Sequence, residues 1–340
     1  MKAVLWPYRF THMRDTWRPQ TVWIVDALKK CGVTVKRHPD FGCCGLEELP
    51  VYDPETDNPA DIGIYNHANQ SEIIGNVLKT SANWFMKPTV PDEYHTTLDT
   101  LGYGPFSFIT YNPPPLERVK QENVNTFFRK EVAHWLEKRS TKWGKQFESK
   151  DAECPHEDYH LVIGQCGGDS VVTKMDFGHY FTKLGQICAE LARVDTRPVV
   201  VKLHPYVDGK DGNTTAMTDY LKGKLEGIHT RVHVYGGRTN IHPFLDRARD
   251  VVLANSGAGF EAMMHHKPII AWGFPEYHWV TYDLRHLCEM GFAISLKWFD
   301  REQQDRYLYW YMRHYCFWNQ PTAYRRVKEL LACVTTSAQH

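Results

Sequence analysis

Three short stretches in the second half of the chain hold the polar residues from which a phosphate site could be built. They are Gln165-Cys166-Gly167-Gly168-Asp169-Ser170, Lys202-Leu203-His204-Pro205 and Asn255-Ser256-Gly257-Ala258-Gly259. Each follows a short apolar run, rich in β-branched residues, that reads as a strand. In a parallel sheet the carboxyl ends of neighbouring strands lie side by side, so the three turns would line one crevice. His204, with Lys202 near it, offers a cationic or proton-sharing donor to a phosphate. Ser256 and the turn amides offer neutral donors, and Asp169, Gln165 and Glu261 offer acceptors for sugar or base hydroxyls and amines. Val251–Tyr282 is the richest stretch: a strand, a small-residue turn, a helix, a second strand and an aromatic loop. A strand feeding a Gly/Ser turn that opens a helix aims backbone N–H groups and the positive end of the helix dipole at one spot, which favours an anion. Any βαβ unit also needs such a turn, and His-Pro recurs at 38–39 and 242–243, so the weight rests on the combination.

The first half contributes a second kind of chemistry. Asp92-Glu93 follows Pro91 where a strand should end, and a carboxylate there could act as general base or nucleophile; the same pair could simply solvate a turn. The segment Arg118–Lys150 holds nine Lys/Arg against four Glu, a net of +5, with Trp143 among the charges. Lys138, Arg139 and Lys142 could dock an acceptor or an anionic surface, or the segment could be a solvated helix face.

The elements that must position these groups alternate along the chain. Lys2–Tyr8 reads as a strand, Thr21–Cys31 as an amphipathic helix closed by Gly32, and Val33–Lys36 as a second strand. After a turn-rich stretch at 41–59 come a strand at Asp61–Tyr65, a helix at Ser71–Thr80 and a strand at Trp84–Lys87. Asn112–Leu116 is a stiff prolyl connector, and Arg118–Lys150 has helical spacing. Lys150–Tyr159 reads as an interdomain linker. A second series then runs through a strand at Leu161–Gly164, a helix within His179–Arg193, a strand at Pro198–Leu203, a helix at Ala216–Leu225 and a strand at Val232–Tyr235. The tail Arg301–Leu331 is expected to be helical and to pack back on the first domain. Alternation of this kind gives parallel sheets, with ligands outside their carboxyl ends. The expected domains are 1–150, 151–300 and a helical region 301–340.

Composition bounds what the chain can be. Its 340 residues suffice for two domains, and 42% hydrophobic with 24% charged residues is the make-up of a soluble globular protein. Lys+Arg and Asp+Glu both number 40, so any nucleic-acid or membrane contact must be a local patch. The nine cysteines contain no C-x-x-C pair, which fits reduced thiols in a cytosol, although vicinal Cys43-Cys44 could hold a soft metal. The N-terminal apolar stretch is too short for a signal peptide, and no run approaches the ~20 apolar residues of a membrane helix. A cytoplasmic protein with no transmembrane segment is expected.

The runs VIGQCGGDSVV, VVVKLHPYVDG and VLANSGAGFEAMMHHKPIIAWGFPEYHW resemble the successive motifs of bacterial capsular polysaccharide glycosyltransferases that use CMP-Kdo. They resemble the bacterial sialyltransferases more distantly. VPDEYHTTLDTLGYGPFSFITY is similar to that family's Glu-Asp-Gly motif followed by a Ser-containing strand, with Tyr94 in place of the glycine. The resemblance covers roughly 88–112 and 160–285. It implies an α/β fold of the GT-B type, two Rossmann-like doubly wound domains facing a cleft, no resident cofactor and no metal. The nucleotide-sugar donor would be a co-substrate held mainly by the second domain. His204 with Lys202 and Pro205 would meet its phosphate, Ser256 and Gly257 with Asn255 would hold it by hydroxyl and backbone, and Glu261 would bind ribose. Gln165, Asp169, Ser170 and Tyr277 would lie near the donor. Glu93 would align with the catalytic carboxylate and Asp92 with its neighbour, Asp169 being the next candidate. The sequence reads Pro-Glu-Tyr-His-Trp at 275–279 where the family usually has Pro-Phe-Tyr-Ala-Gly.

The expected partners are thus a nucleotide-sugar donor and a polysaccharide or glycolipid acceptor; oligomeric state is not legible. A phage-type DNA glycosyltransferase acting on hydroxymethylated bases would use Arg118–Lys150 against phosphates. A nucleotide-sugar epimerase or a non-catalytic nucleotide-binding relative shares the two-domain build. A dehydrogenase is disfavoured, because no G-x-G-x-x-G follows the first strand.

Overall fold

The structure is a computed structural model that describes residues 1–6, 18–41, 46–66, 76–80, 95–141, 154, 156–175, 179–208, 215–236, 239–284 and 299–337. The chain divides into two compact units, one of Met1–Pro114 with Tyr309–His340 and one of Pro115–Leu308. The boundary therefore falls in the prolyl connector rather than at 150, and the basic segment belongs with the second unit.

The first unit is built on β1 (Lys2–Leu5), β2 (Thr34–Arg37), β3 (Ile62–Asn66), β4 (Val77–Thr80), β5 (Thr96–Asp99) and a late strand, β12 (Cys316–Phe317), in the order β12-β5-β4-β3-β1-β2. β1 to β4 pair in parallel. β5 runs antiparallel to β4, and β12 antiparallel to β5. The helices Arg18–Lys30 and Gln320–Ser337 cover one face, where Ile24, Val25, Leu28, Ala323 and Val327 share a core with Ala3, Leu5, Ile62, Ile64 and Leu78. Gly32 ends the first helix at φ 76°, a left-handed turn that brings the Val33 N–H back to the Leu28 carbonyl at 3.0 Å.

Three expectations change here. Val77–Thr80, expected as the end of a helix, is strand β4, and the Ser-containing strand expected near Phe108 is the helical turn Phe108–Tyr111. The tail from Arg301 is not uniformly helical: helix Arg301–Trp310 passes through a π turn into β12 before Gln320–Ser337 begins. The strand expected at 84–87 lies outside the described residues, as do Asp92, Glu93, Lys142 and the Cys43-Cys44 pair.

The second unit holds β6 (Tyr159–Ile163), β7 (Val199–Lys202), β8 (Val232–Tyr235), β9 (Ala248–Leu253), β10 (Ile269–Ala271) and β11 (Tyr282–Asp283), ordered β11-β10-β9-β6-β7-β8. Every pairing is parallel. The chain winds outward from β6 through β7 and β8, returns, and winds the other way through β9, β10 and β11. The direction reverses between β6 and β9, where a doubly wound sheet opens a crevice at its carboxyl edge. β6 and β7 are buried throughout, which explains their continuous apolar reading. Helix Tyr180–Val194 sends Leu184, Ile187, Cys188 and Leu191 onto Val199, Val201 and Val162. Two Rossmann-like α/β domains thus make up the chain. Among the described residues, no helix is long and apolar enough to cross a membrane.

Candidate functional site at the carboxyl edge of the second sheet

The turns after β6 and β9 are joined at the switch point itself. The Asn255 N–H donates to Gln165 Oε1 at 2.9 Å, across 90 residues of chain. The Asn255 side chain then spends both its ends: Nδ2 donates to the Val171 carbonyl at 3.1 Å, and Oδ1 accepts the Phe274 N–H at 2.7 Å. The Gln165 N–H in turn donates to the Tyr180 hydroxyl at 2.8 Å. Both residues are buried, and the Asn255–Gln165 and Gln165–Tyr180 bonds are made away from water, where leaving one unmade is costly. Gln165 and Asn255, expected as donor contacts, are therefore the ties that hold three turns in one arrangement.

The turn of small residues is supported from below. Tyr277, expected to touch the donor, is 1% exposed and gives its hydroxyl proton to the Ser256 carbonyl. Its ring fills the space beside Gly259, where an added Cβ would lie 2.3 Å from it. Burial, then the charges of Glu276 and Glu261, push the Tyr277 phenol well above its ordinary pKa, so it stays a hydroxyl donor. Ser256 Oγ accepts the Ala258 N–H at 3.2 Å and opens the helix Ala258–Met264; Gly257, beside it, takes the N-cap position. Glu261 lies on that helix at 3% exposure, a buried carboxylate rather than one presented to a ribose.

On the other side of β6, the turn after β7 carries His204 and Pro205, both partly exposed. His204 Nδ1 accepts the Tyr206 N–H at 3.1 Å and lies 3.1 Å from Cys166 Sγ. Burial first, then the charge of Asp169, raises the Cys166 thiol to about 11, so the sulfur keeps its proton. With Nδ1 an acceptor, the neutral ring carries its hydrogen on Nε2. Lys202, expected beside it as a phosphate contact, is a core side chain. The side chain is 3% exposed, Nζ donates to the Leu203 carbonyl at 3.0 Å, and burial lowers its pKa to about 7. Asp169 caps the helical turn Ser170–Thr173 by accepting the Val171 N–H at 3.3 Å, so its carboxylate is already engaged and Ser170 merely begins that turn.

Lys138 and Arg139 are exposed just past helix Ala133–Glu137, and the Arg139 carbonyl accepts from Asn240 Nδ2 at 3.1 Å. The residues missed by sequence reasoning are Cys166, Tyr180 and Phe274. Their roles depend on partners 15 to 38 positions away, a spacing without a local pattern. Among the described residues, no group of three or more His, Cys, Asp or Glu could hold a metal ion.

The arrangement brings a ring N–H, a hydroxyl and turn amides to the carboxyl ends of β7 and β9, on either side of β6. Such a set suits an anion attached to a larger ligand.

Residues 108–325 match a family described as capsule polysaccharide biosynthesis protein. No curated protein matches the chain. Among solved structures, the β-Kdo 2,4-transferase of KpsC from Thermosulfurimonas dismutans is similar at 15% identity and a TM-score of 0.53, covering 96% of this chain and 97% of that one. The β-Kdo 2,7-transferase of the same KpsC is similar at 12% identity and a TM-score of 0.51, covering 98% and 99%. At these identities the likeness is one of fold.

Proposed function

Because the chain belongs to the capsule polysaccharide biosynthesis family, we propose that it is a glycosyltransferase that moves a sugar from a nucleotide-sugar donor, CMP-Kdo or a close analogue, to a polysaccharide or glycolipid acceptor. One observation carries the donor site: the Asn255–Gln165 bond at the β6/β9 switch point, which fixes the turn bearing Ser256 against the turn bearing Cys166, itself bonded to His204. In this proposal the donor phosphate lies across that point, with His204 Nε2–H and the Ser256–Gly257 turn as its donors.

In the transfer, the bond from anomeric carbon to phosphate oxygen breaks and its electron pair goes to the phosphate. The acceptor oxygen bonds that carbon and passes its proton to a carboxylate, for which Glu93, with Asp92 beside it, is the proposed group. Positive charge gathers on the sugar and negative charge on the departing phosphate, so hydrogen-bond donors aimed at the phosphate lower the barrier. In this proposal His204 supplies one.

A thermal-shift panel of CMP, UDP and GDP tests the donor site. CMP is expected to raise the melting temperature, since ligand at one hundred times its Kd stabilises the folded state by about 2.7 kcal/mol. UDP and GDP should do so weakly or not at all. No shift with any of the three would remove the donor site; a shift with UDP alone would keep the site and replace the donor.

A further inference from the structure

The loop after β10 presents a run of stacked rings that the donor site does not use. Phe274 and His278 stack with centroids 4.1 Å apart and planes at 23°, and His278 and Trp279 continue the run at 4.2 Å and 37°. Trp279, at the outer end, is 40% exposed. A single exposed tryptophan on a loose loop would carry no inference, because scattered apolar surface residues are normal. This loop is fastened from two sides. The Phe274 N–H is held by Asn255 at 2.7 Å and the Tyr277 hydroxyl by the Ser256 carbonyl. The Tyr307 hydroxyl donates to the Glu276 carbonyl at 2.8 Å and Gln304 Nε2 to the Val280 carbonyl at 3.1 Å. Gly273 lets the strand end pass so close to the β9 turn that a Cβ there would lie 2.6 Å from Asn255 Oδ1. The rings are thus held in place before any ligand arrives, which reduces the ordering cost of binding to them.

The run also starts beside the crevice, because Asn255 bonds both Phe274 and Gln165. It lies on the β10 side of the switch point, whereas His204 and Cys166 lie on the β6 and β7 side. A ligand laid across the switch point with its phosphate between the two turns would extend one end toward the rings. A nucleobase is told from its rivals by the hydrogen-bonding edge, which ring faces do not read. A pyranose ring offers an apolar C–H face, and the negative face of an indole attracts those hydrogens.

We propose that the Trp279 indole forms a stacking platform for a pyranose ring taking part in the transfer, either the donor's sugar or the acceptor's terminal residue. It rests on the glycosyltransferase function proposed above. Trp279 is then a specificity-determining contact, with His278 and Phe274 holding its plane.

The test uses the full chain, its Trp279→Ala and Trp279→Phe variants, and probes that need no turnover: CMP, and the methyl glycosides of Kdo, glucose and N-acetylglucosamine. Melting temperature checks that each variant folds. In saturation-transfer NMR at least one glycoside is expected to receive magnetisation from the unsubstituted protein. Trp279→Ala should cut that signal at least fivefold, and Trp279→Phe should keep most of it. CMP affinity should stay within twofold. In turnover assays Trp279→Ala should raise KM about three- to tenfold for one substrate, donor or acceptor, which identifies whose sugar lies on the rings. The platform is overturned if no glycoside receives saturation, if Trp279→Ala leaves the signal intact, or if CMP affinity falls with the indole, which would make it a base contact. Failure of the donor site looks different: CMP does not bind, while the glycoside signal still depends on Trp279.

Discussion

His204 shows how a single side chain is prepared by its neighbours. An isolated imidazole can place its hydrogen on either nitrogen, but the Tyr206 N–H donates to Nδ1, which leaves Nε2 to carry it in the neutral ring. His204→Ala removes that N–H without disturbing a core position, since the ring is partly exposed. We expect kcat/KM to fall by about one to two decades, ~1.5–3 kcal/mol of transition-state binding, with melting temperature and far-UV dichroism unchanged. Unchanged kcat/KM in the folded variant would contradict the role, and a large loss of stability would make the ring structural. The turns that carry His204 and Ser256 were legible in the sequence because each closes a β-branched apolar run. The tie between Asn255 and Gln165 was not, since it spans 90 residues. Lys202 was misread for a physical reason: a strand covered on both faces buries even its last side chain, and a long aliphatic stem lets an amine sit there bonded to a carbonyl.

At the scale of elements, the two strands that frame the switch point are also locked at their opposite ends. His160 on β6 faces Asp250 on β9 in register, with Nδ1 2.9 Å from both carboxylate oxygens, and Nε2 lies 3.4 Å from Asp195. His160 is 1% and Asp250 0% exposed. Burial alone would lower the imidazole pKa, but the Asp250 hydrogen bond and charge, with Asp195 adding to them, outweigh it and raise the value. Burial likewise raises the Asp195 carboxyl, yet the Arg197 N–H and the His160 charge bring it below its ordinary value. A raised histidine pKa stabilises fully below its unfolded value of about 6.5 and loses that contribution as pH climbs through the folded value. A lowered Asp pKa stabilises above about 3.9 and loses its share in acid. His160→Gln should therefore cost most between about pH 4 and 6.5, about 3–5 kcal/mol for a buried pair left with an uncompensated carboxylate. The gap in melting temperature between parent and variant should narrow toward alkaline pH; a gap that stays constant from pH 5.5 to 9.5 would contradict the charged pair. β6, β7 and β9 were readable as β-branched runs because both faces of a parallel sheet are covered. β4 was not, since its four residues VLKT include a lysine whose Nζ is turned to the Leu101 carbonyl at 2.8 Å. β12 has two residues, and its pairing with β5 reaches back across most of the chain.

At the scale of the whole molecule, the two units divide the chain unevenly. The second is one continuous stretch, Pro115–Leu308, and it holds every residue proposed for the donor, from Gln165 to Tyr277. The first is assembled from Met1–Pro114 and the tail, and position 93 falls in its stretch of chain. The proposed donor contacts and the proposed proton acceptor belong to different units, so donor binding and proton transfer should separate on mutation. Glu93→Gln keeps the size and hydrogen-bonding capacity of the side chain and removes its charge. Affinity for CMP, measured by calorimetry, should change less than about threefold, ~0.7 kcal/mol, because none of its proposed contacts is altered. Turnover should fall by at least ~10², the usual cost of losing a general base. Asp92→Asn serves as the neighbour control: activity lost there and kept in Glu93→Gln would move the role by one residue. Full activity in both variants would mean that proton transfer does not use this pair. Because Asp169 already caps Ser170–Thr173, Asp169→Asn would then be the next variant, and only one whose turnover fell while the Val171 N–H stayed capped would restore a carboxylate to the mechanism.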